Sequence, residues 1–223
     1  MAVVTPDIAE LFEEAYERAG LEMRTGYDLR TIRRSLNILT LEWQNRGLNL
    51  FTVEAGTIPL VSGTATYSLP TGTIDIIEHQ LRTGTGQNQI DTTLERISVA
   101  TYAQQTNKLI QGRPTQLYAD RGVTTTTVTL WPVPDSSQTY TLAYYRLKGI
   151  DGLSSGIAGS AGVPPRFVPA LVAGLAFQIA MKKPEASGRA EALQVEYERQ
   201  FAMAAAEDET RASFFITPWS SYP

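Results

Sequence analysis

A chain of 223 residues, 43% hydrophobic and 19% charged, can build one large domain or two small ones around a real core. It has no cysteine, which excludes a disulfide scaffold, a cysteine nucleophile and any zinc site built on thiolates. Its net charge of −4 argues against sequence-independent DNA binding.

Met1–Glu14 holds acidic residues and no basic stretch, so no secretory leader is expected. Thr5-Pro6-Asp7 predicts a helix start, with Thr5 as the cap and Pro6 in the first turn. Ile8, Leu11, Phe12, Ala15, Tyr16 and Ala19 follow at helical spacing, and Gly20 supplies the stop. A second helix is predicted from Tyr27 to Arg46, with Leu29, Ile32, Leu36, Leu39 and Trp43 on its apolar stripe and Gly47 ending it. Arg30, Arg33 and Arg34 fall on the other side, as a solvated face or as a salt-bridging face toward a neighbouring subunit.

From Leu48 the pattern turns to short β-type runs: Leu50–Val53, Thr57–Val61, Thr66–Leu69 and Ile74–Arg82. Residues 84–88 predict a hairpin loop, with a return strand through Gln89–Leu94. Ser98 reads as the cap of a short helix to Gln105. Thr115–Ala119, Val123–Trp131 and Thr139–Leu147 complete the block, and the threonines of Val123–Leu130 suit a strand with one wet face. Glycines and serines over 149–162 predict a flexible loop. Arg166–Lys183 is apolar almost all round and predicts a central core helix, because its longest apolar run, Phe167–Met181, contains Gln178 and is too short to span a bilayer. Pro184 stops it. Ala186–Ala212 predicts a last helix, with Ala190, Leu193, Tyr197, Phe201, Ala204 and Ala205 on one stripe.

The expected fold class is α+β: a bundle of N- and C-terminal helices with an inserted antiparallel β-rich domain. The helical domain is discontinuous, 1–47 with 163–212. The β insertion is 48–148, the flexible loop 149–162 and the C-terminal extension 213–223.

The sequence carries little that could serve catalysis. The only histidine is His79, in a strand pattern and without a GxSxG elbow, so an ordinary half-buried or surface residue is the expectation. No HExxH or phosphate-binding GxxxxGK[ST] occurs, and Gly84-Thr85-Gly86 lacks the rest of a nucleotide fingerprint. No catalytic, cofactor or metal residue is assigned. The enzyme alternative is a virion-associated cell-wall glycosidase using the β-domain carboxylates Asp75, Glu78, Asp91 and Glu95. The pairs Tyr144-Tyr145 and Phe214-Phe215 could stack bases but lack surrounding cations, so core packing or protein contact is expected instead.

A series of local patterns in order carries a resemblance. They are Ala15–Gly20; Leu36-Asn37 leading to Glu42–Phe51; Tyr67-Ser68-Leu69-Pro70; Ile74-Asp75-Ile76; Arg96-Ile97-Ser98 with Tyr102; Gly112-Arg113-Pro114; Leu130–Asp135; Val163–Phe167; and Tyr197-Glu198. Together they resemble the tail-adaptor, or head-to-tail connector, proteins of short-tailed bacteriophages, the family that includes tail tubular protein A. The resemblance implies a non-enzymatic virion protein that forms a ring of about twelve copies on the portal protein, with head-to-tail contacts between identical subunits. It implies a tail nozzle or tail tubular protein as the next partner, assembly in the host cytoplasm, no membrane and no cofactor. DNA would pass through the channel without specific binding, and the ring would help retain the packaged genome. Within that picture Phe214, Phe215, Ile216, Trp219 and Tyr222 are expected at the portal or neighbour interface, since aromatic residues anchor interfaces. Glu207, Asp208 and Glu209 are expected to face the channel and repel phosphate.

Overall fold

The computed structural model describes residues 7–24, 26–46, 50–150 and 163–208. The first helix, α1 (Ile8–Ala19), buries the stripe predicted for it: Ile8, Leu11, Phe12, Ala15, Tyr16 and Ala19. Asp7 occupies its cap position in extended conformation and makes no side-chain capping bond. The expected cap, Thr5, and Pro6 lie outside the described residues. At the other end Gly20 adopts φ 79°, and the amides of Gly20 and Leu21 donate to Glu17 O and Tyr16 O at 2.8 and 2.9 Å. Those two bonds satisfy the last carbonyls of the helix, and the left-handed backbone they need is one that glycine adopts without steric cost. The second helix, α2 (Gly26–Arg46), buries Ile32, Leu36, Leu39 and Trp43 together with Asp28, Thr31, Ser35 and Thr40.

Leu50–Thr52 forms a 3-10 turn where an extended run was expected. Phe51 is half-buried there and packs its ring on Phe167, 5.1 Å between centroids, a contact that favours the turn. The strands follow as β1 (Val53–Pro59), β2 (Thr66–Ser68), β3 (Thr73–Thr83), β4 (Ile90–Thr93) and β5 (Glu95–Arg96). Helix α3 (Val99–Gln104) is capped as predicted, with Ser98 Oγ accepting from Thr101 N at 3.1 Å. Then come β6 (Gln111–Gly112), β7 (Gln116–Arg121), β8 (Thr126–Trp131), β9 (Val133–Pro134) and β10 (Tyr140–Lys148). The Trp131–Pro132 peptide bond is cis. Beyond residue 162 the 3-10 turn Pro165–Phe167 leads into α4 (Val168–Lys182), and the 3-10 stretch Pro184–Arg189 leads into α5 (Ala190–Glu207).

The described residues form two compact units, one drawn from 1–51 and 151–223, the other Thr52–Ile150. In the β unit one sheet has the order β1-β10-β3-β4, antiparallel throughout, and a second has the order β2-β8-β7-β5. The fold is antiparallel-rich, as expected, but β5 pairs with β7 in parallel and so does β6 with β9. The inward residues of both sheets meet in one apolar core: Ile76, Leu81, Tyr140, Leu142 and Tyr144 from the first, Leu117, Val128 and Leu130 from the second, with Leu69 and Leu94. Alternation makes this possible, because successive side chains on a strand point to opposite faces. Gly149 N donates to Gly72 O at 2.8 Å and Ile150 is buried. Residues 151–162 of the expected flexible loop lie outside the described residues.

In the helical unit α4 packs against α1, α2 and α5. Its uniform apolarity is explained by that position, since nine of its residues, from Ala170 to Ala180, are buried. Trp43, Phe51, Phe167, Tyr197 and Phe201 form an aromatic cluster at centroid separations of 5.1 to 6.4 Å.

Candidate interaction surfaces

The buried aromatic cluster is tied to the surface by one polar chain. Trp43 Nε1 donates to Tyr197 Oη at 2.9 Å, and Tyr197 Oη donates to Glu42 Oε1 at 3.1 Å. Arg46 pairs with both Glu42 and Glu198, and its guanidinium lies 5.0 and 4.8 Å from the ring centroids of Tyr197 and Phe201. Burial pushes the Tyr197 hydroxyl well above the ordinary tyrosine value, so it remains a donor. The hydrogen bonds that Arg46 donates to Glu198 raise the pKa of its guanidinium. Residues of α2 and α5 far apart in sequence are thereby locked together, which is a framework function.

Three of the four β-unit carboxylates singled out from the sequence, Asp75, Asp91 and Glu95, are committed to partners. Asp75 pairs with Arg96 at 2.7 Å and with Arg121 at 3.5 Å. Arg82 grips Asp91 with two bonds of 2.8 and 2.9 Å, and this holds the Asp91 carboxyl below its usual range. Glu95 accepts from Gln116 Nε2 at 3.0 Å. A glycosidase needs one carboxylic acid kept protonated by its surroundings. Arginine pairing acts in the opposite direction, so the arrangement lends the glycosidase alternative no support. Glu78 lines a cleft of about 400 Å³ with Gln80, Arg82, Asp91, Tyr145 and the strand β1. His79 reaches the same cleft from β3, opposite Tyr144 on β10. It is buried, and neither ring nitrogen has a hydrogen-bond partner among the described residues. Burial pushes its pKa down; Arg96 adds to this, and Glu78 opposes it.

Of the residues expected at interfaces, Phe214, Phe215, Ile216, Trp219 and Tyr222 lie outside the described residues, as does Glu209. Glu207, the last residue of α5, is exposed. Asp208 departs from the expectation of a channel-facing acid. It is buried and ion-paired with Arg166, so its charge is matched inside the unit. Three consecutive acids in a sequence suggest one solvated run, but the end of a helix turns successive side chains in different directions.

The arginines of α2 are where the sequence put them. Arg30 and Arg34 are exposed and Arg33 is half-buried; with Tyr27 and Asn37 they line a shallow cleft. None of the three has an ion-pair partner among the described residues. Burial and the neighbouring Arg34 lower the pKa of Lys182, whose Nζ donates to Ser35 Oγ at 2.7 Å. Further along the same face Ile38 and Leu41 are more than half exposed. A second charged face was not singled out from the sequence: Glu10, Glu13, Glu14 and Glu17, all exposed on α1. Their spacing was legible, because these residues share the helix face opposite the buried stripe.

Among the described residues there is no group of three or more potential metal ligands and no helix long and apolar enough to cross a membrane. The chain belongs to the SU10 adaptor protein family, whose model matches residues 7–220. This is a family of phage head–tail adaptors, so its members are virion components at the interface of head and tail, associated with other virion proteins. No curated protein matches the chain.

Proposed function

We propose that this chain forms a ring of about twelve copies between the portal and the tail, extends the channel for DNA and helps retain the packaged genome. The observation that carries the reading is the family match over nearly the whole chain, residues 7–220. The helical unit is the layer that docks on the portal protein, and the β unit faces the tail nozzle or tail tubular protein. The rigid α2–α5 framework supports this division, since a docking layer must hold its shape against a partner. DNA passes without specific binding, consistent with a net charge of −4, and Glu207 and Glu209 are the acids proposed to face it. Asp208 adds little there, its charge being matched by Arg166.

Residues 213–223 form the docking strap in this reading. Phe214, Phe215, Ile216, Trp219 and Tyr222 make it rich in the residue types that anchor interfaces. Deletion of 213–223 is expected to weaken binding to the cognate portal about tenfold or more while the thermal unfolding midpoint stays put. Equal portal affinity for the truncated and full-length chains, measured by surface plasmon resonance, contradicts the role given to the strap.

A further inference from the structure

Two faces of the helical unit have matching geometry and opposite charge. On α1, Glu10, Glu13, Glu14 and Glu17 stand at offsets 0, 3, 4 and 7. On α2, Arg30, Arg33 and Arg34 stand at offsets 0, 3 and 4. Side chains at these offsets share one helix face and recur with the helical pitch, so each helix carries a charged stripe, about two turns long on α1 and about one turn long on α2. Both helices pack on α4 through their buried stripes, and the charged stripes stay largely exposed, with Arg34 bordering Lys182 at the end of α4.

The charges are not used up inside the chain. Glu14 pairs with Arg18 at 2.7 Å. Glu10, Glu13 and Glu17, like the three arginines, have no ion-pair partner among the described residues. Like charges this close repel one another, and an isolated subunit keeps both stripes because solvent screens them. Tyr27 on the arginine face, and Ile38 and Leu41 beyond it, add exposed aromatic and aliphatic area to the cations. Arginine with tyrosine and aliphatic side chains is the composition of a protein interface, whereas phosphate binding needs no such apolar margin.

We infer that the α2 arginine face of one copy docks on the α1 glutamate face of the next copy, making the lateral contact of the assembly. Two different patches on one subunit, each complementary to the other, form a heterologous contact, the type that closes identical subunits into a ring. This inference rests on the ring proposed above and names the surfaces that close it. Opposite potentials on the two patches also steer successive copies into one orientation, because arginine against arginine or glutamate against glutamate is repelled.

The test is a pair of charge reversals in the full-length chain. One variant carries Arg30→Glu and Arg34→Glu, the other Glu10→Lys, Glu13→Lys and Glu17→Lys. All five residues are exposed, and circular dichroism with the unfolding midpoint verifies that each variant folds. Self-association is read by sedimentation velocity, and loading onto the cognate portal by mass photometry, both at low and high salt. Each variant alone is expected to need at least about tenfold more protein than wild type for half-assembly. An equal mixture of the two is expected to assemble again, since the acidic α2 of one then meets the basic α1 of the other. Raising the salt weakens both the wild-type and the mixed assembly.

Wild-type-like loading of each variant alone overturns the inference and leaves the ring intact. A mixture that fails to assemble although both variants fold also overturns it. If the Arg30 and Arg34 variant loses only affinity for DNA, the arginine face serves phosphate and the inference is wrong. A wild-type chain that neither self-associates nor adds copies to the portal removes the ring and this contact together.

Discussion

His79 is the chain's one histidine, and it is buried on β3 with two ring nitrogens that no described residue satisfies. Burial disfavours its charged form, so the folded pKa lies below the ordinary histidine value of about 6.5. The unfolded chain therefore binds a proton more readily than the folded one in the window just below that value. Stability is full above about pH 6.5 and falls as pH drops from there toward the depressed folded pKa. An NMR titration of the single imidazole is expected to give a midpoint below 6.5, and His79→Gln is expected to flatten the loss of stability between pH 7 and 5. A midpoint at or above 6.5 contradicts this account. The sequence pointed to an ordinary half-buried or surface residue, and the structure buries it. What it could not show is the register that sets His79 opposite Tyr144, because that is fixed by long-range pairing of β3 with β10. Asp208 teaches the same lesson: its partner Arg166 lies 42 residues away, and nothing local in the acidic run separates it from exposed Glu207.

At the level of elements, the helices were the most legible part. The stripe of α1, most of the stripe of α2 and the uniform apolarity of α4 are all local periodicities. The cap at Ser98 was equally readable, since an N-cap depends on a few consecutive residues. The pairs Glu95–Arg96, Gln111–Gly112 and Val133–Pro134 were not, because two residues carry no period and exist as strands only through their partners. Val123 was expected inside a strand, yet it is fully exposed and β8 begins at Thr126. At Gly174 of α4 the side chains of α2 and α5 approach the backbone closely. A methyl group there would stand 2.9 Å from Leu39 Cδ2 and 3.0 Å from Tyr197 Cε2. Alanine in place of a helical glycine normally stabilises by about 1 kcal/mol. Here the overpacking cost of about 1–3 kcal/mol is expected to win, so Gly174→Ala lowers the stability in a urea titration. A variant as stable as wild type, or more so, shows that α2 and α5 can yield around α4.

For the whole molecule, the division into flanking helices and a central β block was visible because the apolar period changes from 3.6 to 2 at the boundaries. The pairing of strands into two sheets facing one core is not written in any local pattern. Nor is the acidic face of α1 marked as an interaction surface by its own spacing; it gains that meaning beside the arginine face of α2. Buried apolar cores hold each unit, while these stripes and the 213–223 strap are proposed to make the contacts that build the assembly. Mass photometry of the full-length chain with its cognate portal ring tests that account most directly. The prediction is a portal-sized particle heavier by about twelve copies of this chain. A portal whose mass is unchanged at saturating adaptor, with this chain remaining a monomer or dimer beside it, contradicts the account.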